Sequence, residues 1–99
     1  MKNFNENDEN DLLQLALLHQ HGGKDFEKNI KKAIQFYTKL VKKENVIGIF
    51  NLALIYQQGQ GGTRKNIPKA IELLEKSSQK GHSESCNSLA NIFLNGNGV

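Results

Sequence analysis

The chain of 99 residues has no tryptophan, one cysteine, one proline and one arginine, and each scarcity removes a class of protein. With Cys86 alone, no disulfide closes within the chain, so a bridge-stapled secreted scaffold is excluded and a reducing, cytoplasmic setting is the expectation. Arg64 is the single guanidinium among thirteen basic residues. Lysine-rich helix surfaces are mostly solvated faces, whereas base and phosphate readers favour the planar, bidentate arginine. No basic stripe with interleaved aromatics appears either, so the net charge of +3 does not point to nucleic acid. No apolar run approaches the roughly 18 residues of a membrane span, and the opening MKNFNENDENDLLQ lacks the apolar core of a secretory signal. His82 and Cys86 stand four apart without further ligands nearby, short of the four that structural zinc takes, so neither metal nor cofactor is expected.

Glycine, by contrast, is plentiful and regularly placed. The stretches QLALLHQHGG, NLALIYQQGQ and SLANIFLNGN start at residues 14, 51 and 88, hence 37 apart. NIKKAIQFYTKLVKK from residue 29 lies over NIPKAIELLEKSSQK from residue 66 at the same spacing. A fixed period of this size predicts a stacked array of helical hairpins, each burying its apolar face against its neighbours. The fold expected is all-α: an α-α superhelix, or solenoid, of about two and a half helix-turn-helix repeats with a 37-residue period.

In each unit the first helix, A, carries one apolar stripe: Leu12, Leu15, Ala16, His19; then Ile49, Leu52, Ala53, Tyr56; then Cys86, Leu89, Ala90, Phe93. By this register Cys86 is a small core residue and His19 a packed ring. The second helix, B, opens on Asn29 or Asn66 as N-cap, takes Pro68 in its first turn, and buries Ile30, Ala33, Ile34, Tyr37, Leu40 and Val41 or their equivalents around Ala70. Gly22, Gly59 and Gly96 share the position that ends helix A, where a left-handed residue is needed, and Gly81 closes the second helix B. A phosphate loop has the opposite order, glycines before a helix rather than after one. Ser83 is the expected cap of the third A helix.

These positions resemble the Sel-1-like repeats, a branch of the tetratricopeptide-related solenoids. Leu52, Tyr56, Gly59, Gly61, Lys69, Ala70 and Gly81 match that family's pattern in the second unit, and Leu89, Phe93, Gly96, Gly98 and Val99 match it in the third. The first unit departs from it: His19 stands for the tyrosine and Glu44 for the glycine. The division expected is an acidic, Asn-rich arm over residues 1–10, solvated and mobile, then an array over 11–99 comprising repeat 1 (11–45), repeat 2 (46–82) and the first helix of a truncated repeat 3 (83–99). A B helix of a longer chain, a partner or a second copy would then cover Leu89, Ile92 and Phe93.

The resemblance implies a non-catalytic scaffold or adaptor that binds a protein, as a peptide or a helix, on the concave face lined by the A helices. Residues offset from the buried stripe there are Leu13, Leu17 and Gln20, then Phe50, Leu54 and Gln57, then Asn87, Asn91 and Leu94. The first two triplets supply apolar anchors and the third an amide ladder. Two other readings stand beside this one. Cysteine-rich secreted relatives are held to act on penicillin-like ligands, but they carry paired cysteines that this chain lacks. A purely structural spacer differs from the scaffold only in that its concave face binds nothing.

Overall fold

A computed structural model describes residues 3–95. Five helices follow one another: α1 (Glu9–His21), α2 (Ile30–Lys42), α3 (Val46–Gln58), α4 (Ile67–Gln79) and α5 (Ser83–Leu94), with a short 3-10 turn at Gln60–Gly62. The main packing runs only between consecutive helices, closest within the hairpins α1–α2 and α3–α4. The result is an elongated stack of 45 × 28 × 17 Å, the all-helical solenoid that the period predicts.

Capping residues set the boundaries. Asn29 and Asn66 accept from the backbone N–H of Lys32 and Lys69, both at 3.1 Å, and Pro68 lies in the first turn of α4. The same two asparagines clasp the hairpins, their own amides donating to the carbonyls of His19 (2.6 Å) and Tyr56 (2.8 Å). The A helices begin on a register of their own, Asp8, Asn45 and His82. Asp8 and Asn45 accept from the following turn, at 2.8 Å from Asn10 and 2.9 Å from Gly48. The N-cap of α5 is thus His82, and Ser83, expected in that role, is the first helical residue.

The helix stops also follow the period. Gly59 is left-handed at φ 67°, ψ 46°; Gly22 has positive φ but extended ψ, and Gly96 lies outside the described residues. Helices α2 and α4 both end with paired bonds back to the last turn, Asn45 to Leu40 and Glu44 to Val41 in one, His82 to Ser77 and Gly81 to Ser78 in the other. Gly81 takes φ 90° without strain, but its counterpart Glu44 takes φ 59° with a side chain attached.

One continuous core runs through the stack, including Leu12, Ala16, Ala33, Tyr37, Leu40, Ile49, Leu52, Ala53, Ile55, Leu74 and Ile92. Ile34 and Val41, expected within it, are only partly buried against its edge. The middle A helix, α3, has two buried sides, one toward its own B helix α4 and one toward the preceding B helix α2, and α5 keeps the second of these against α4. The second side reads Gly48 and Ile55 in α3, and Ser85 and Ile92 in α5. At Gly48 the backbones come so close that an added Cβ would sit 2.4 Å from Leu40 Cβ. One period on, Leu40 and Gly48 become Ser77 and Ser85, both fully buried, so a large-and-absent pair is exchanged for two small ones.

The expected arm is not free of apolar partners. Phe4 meets the Phe26 ring edge-on at 6.3 Å, the Asn5 amide donates to Asp11 Oδ2 at 2.9 Å, and Glu6 pairs with Lys39 at the surface. The composition of residues 1–10 hid a single aromatic with a ring waiting for it.

Gly48→Ala should lose about 1–3 kcal/mol to overpacking against Leu40, read from urea unfolding. Ser77→Leu should lose a similar amount alone, and Ser85→Gly added to it should recover most of the loss by recreating the Leu40–Gly48 fit; independent, additive losses would show that the two sites do not share one space. Glu44→Gly should gain about 0.5–1 kcal/mol, the relief of left-handed strain less the added chain entropy, seen as a higher melting temperature.

Candidate interaction surface

Three rows of side chains run across α1, α3 and α5 at the 37-residue spacing. Leu13 and Phe50 are half-buried, packed on the edge of the core, and Asn87 is exposed. Leu17 and Leu54 are half-buried outside that core, and Asn91 is exposed. Gln57 is half-buried and Leu94 is 82% exposed. Beside Leu17 a largely apolar hollow of about 300 Å³ is lined by Gln14, Leu17 and Leu18.

Gln20 departs from its expected place on this surface. It is buried, accepts from the Tyr37 hydroxyl at 2.6 Å and donates to Gln60 Oε1 at 3.0 Å, tying unit 1 to the turn of unit 2. Tyr37 occupies the place that Leu74 fills in the next unit, and burial pushes its phenol up to about 12. The signal was present in the sequence: a tyrosine at a core position must bring a polar partner with it.

Phe50 has a second occupation. Its ring meets His82 at 4.7 Å, tilted by 53°, which pins the corner between α4 and α5. From His82 Nδ1 a chain runs to Ser85 Oγ at 2.8 Å and on to Ser77 Oγ at 2.5 Å. A histidine beside a serine suggests a base and a nucleophile, but both serines are fully buried and no substrate carbonyl reaches them. The chain satisfies polar groups at the second junction, where the first has Leu40 against Gly48.

Cys86, expected in the core, is exposed, with Sγ 2.8 Å from Ser78 Oγ. Its repeat equivalents Leu12 and Ile49 are covered by α2 and α4, and α5 has no such helix among the described residues. For the same reason Ala90 is exposed and Phe93 is 57% exposed, whereas Ile92, facing α4, is fully buried. Among the described residues no group of three or more His, Cys, Asp and Glu side chains is placed to hold a metal ion, and no helix is long and apolar enough to cross a membrane.

His19 is a packed ring as expected. It stacks on Phe36 at 5.5 Å and 12°, and meets Phe26 edge-on at 5.5 Å. Burial, with a smaller contribution from the Lys32 charge, holds its pKa below the ordinary 6.5. Its Nδ1 is buried without a hydrogen-bond partner.

The Sel1 repeat family model matches residues 12–45, 46–82 and 83–99. Among solved structures, a protective antigen of uropathogenic Escherichia coli strains, displaying an SLR fold, superposes with a TM-score of 0.83 at 26% identity over 89% of this chain. A Sel1 repeat protein from Oxalobacter formigenes superposes with a TM-score of 0.82 at 24% identity over 92% of it, a likeness of fold. The chain spans 19% and 36% of the lengths of these two proteins. No curated protein matches the sequence.

Because His19 titrates lower when folded, the unfolded chain binds the extra proton first, and stability should fall as pH drops below about 6.5. His19→Tyr should flatten the decline between pH 7 and 5.5. An unchanged slope in the variant, by chemical denaturation at each pH, would show that His19 does not carry it.

Proposed function

Since the chain belongs to the Sel1 repeat family, whose repeats generally act as protein-interaction modules, we propose that it is a non-catalytic scaffold binding a peptide or partner helix across its A helices. The observation that carries this reading is the row Leu17, Leu54, Asn91. Its two leucines are half-buried yet lie outside the contiguous core, and its amide is exposed. Leucines at this depth already sit partly out of water, so a partner gains their remaining area at small ordering cost. The hollow beside Leu17 accepts an apolar anchor, and Asn91 offers both a donor and an acceptor to an extended backbone.

Gln20 has no part in this surface, being committed to Tyr37 and Gln60. Phe50 serves as its edge, since truncating that ring would also loosen the His82 corner. The catalytic alternative gains nothing from the His82–Ser85–Ser77 hydrogen-bond chain, which is sealed from solvent at its hydroxyls.

Peptides selected from a displayed random library against the parent chain should lose about tenfold or more in affinity for Leu54→Glu and for Asn91→Ala, with far-ultraviolet circular dichroism unchanged. Selected peptides that bind all three proteins equally would place the interaction elsewhere.

A further inference from the structure

Where α2, α3 and α4 meet, a cavity of about 280 Å³ opens at the C-terminal ends of the two B helices, lined by Val41, Glu44, Ile49, Lys76, Gln79 and Lys80. All six belong to the first two units, and none belongs to the row Leu17, Leu54, Asn91. Ile49 is buried and Val41 half-buried, so the floor is apolar, whereas both lysines are exposed and form the rim. The volume falls just below the roughly 300–1,000 Å³ of small-molecule pockets, which suits one inserted side chain better than a cofactor.

The charges around it are unevenly matched. Among the described residues Lys76 forms no ion pair, and Lys80 Nζ stands 3.4 Å from Glu44 Oε1, beyond the roughly 2.7–2.9 Å of a charge-assisted bond. The neighbours Lys42 and Lys43 are exposed as well, and Glu44 is the one carboxylate in the lining. That residue is also the strained one. One period on, Gly81 follows the end of its helix at φ 90°, while Glu44 takes φ 59° with a side chain attached. The helix stop needs no side chain there. What the glutamate adds is an anion on the rim, and backbone strain kept at a cavity is a pointer to use.

One period earlier the chain shows how such a lysine is used. Lys39, the counterpart of Lys76, pairs with Glu6 from the non-helical segment ahead of α1, and the same segment sets the Phe4 ring edge-on to Phe26. An acidic stretch with an apolar anchor is thus already held against the first hairpin. Nucleic acid fits the cavity less well, because no ring lines it for a base to stack on and neither cation is an arginine.

We propose that this cavity docks an acidic peptide segment of a partner, which seats one apolar side chain on Val41 and Ile49 and a carboxylate between Lys76 and Lys80. Glu44 is the internal anion that the incoming carboxylate displaces. Removing a lysine therefore weakens docking, and removing the Glu44 charge strengthens it. The site stands independently of the surface proposed across the A helices.

The probe is a capped, fluorescein-labelled heptapeptide with one leucine flanked on each side by three glutamates. Fluorescence anisotropy with the 99-residue chain at physiological ionic strength should show saturable binding that weakens about tenfold for Lys76→Glu and about tenfold when alanine replaces the peptide's leucine. Glu44→Gln, which keeps the backbone strain and removes the charge, should tighten binding severalfold. The same charge reversal at Lys31, in the first turn of α2, should change affinity by less than about twofold, because a distant surface charge is screened. All three positions are exposed, so the variants keep their fold, which circular dichroism would verify. No saturable binding, equal losses for Lys31→Glu and Lys76→Glu, or equal affinity for the leucine and alanine peptides would overturn the proposal. So would weaker binding by Glu44→Gln, displacement of the peptide by single-stranded RNA at equal concentration, or amide chemical-shift changes centred on Leu17 and Leu54 in place of Val41 and Ile49.

Discussion

The distance between each B helix and the A helix that follows it is the constraint on which the stack depends. In a hairpin the connecting turn and the clasp from Asn29 or Asn66 hold the two helices together. Between hairpins packing, a short turn and side-chain hydrogen bonds do so, Gln20 to Gln60 at the first junction and Ser77 to Ser85 at the second. At Leu40 and Gly48 the chain solves this by removing a side chain from one helix, so the other can press onto bare backbone. At Ser77 and Ser85 it shrinks both and closes the gap with a hydrogen bond between hydroxyls. Protein interiors are packed closely enough that either solution is felt by its neighbours. Ile55 and Ile92, both fully buried, lie two turns after the small residues Gly48 and Ser85 on the same side of their helices.

The positions that the period determines are legible in the sequence itself. The order of the helices, the asparagine caps and Pro68 in its first turn follow from local chemistry repeated twice, and the family model and the superposed structures agree with the repeat and the all-helical fold. The failures share a cause. Gln20 looked like a surface residue because its register partner Gln57 offers no reason for burial, and only the exchange of Leu74 for Tyr37 supplies one. Cys86 and Ala90 looked buried because the stripe was carried forward without the helix that buries it. Ser83 looked like a cap by residue type, but the cap register Asp8, Asn45, His82 overrode type. A repeat transmits backbone geometry faithfully and side-chain environment only as far as the neighbour is the same.

The row proposed for binding is a different matter. Leu17 and Leu54 are half-buried whether they wait for a partner or merely line the groove between helices, and exposure alone does not separate those roles. What sequence reasoning offered was the alignment of the three rows. The structure sorts within them: Gln20 is taken by an internal network, Phe50 by a corner contact, and Leu17 and Leu54 lie outside the core cluster of the described residues.

That sorting has a physical logic. A solenoid's stability is a sum over neighbouring interfaces, so each junction must be sealed locally with whatever its own residues provide. Here the first junction uses apolar close contact plus an amide network through Tyr37, Gln20 and Gln60, and the second uses hydroxyls and an imidazole. Two junctions with unlike chemistry cannot be exchanged without leaving a clash in one and unpaired polar groups in the other. The order of the repeats is thereby fixed even though their backbones are nearly the same, and so is the order of the side chains presented along the A helices. The surface proposed for a partner rests on that fixed order, with its leucines at one end and its asparagines at the other, and the buried seams are what supply it.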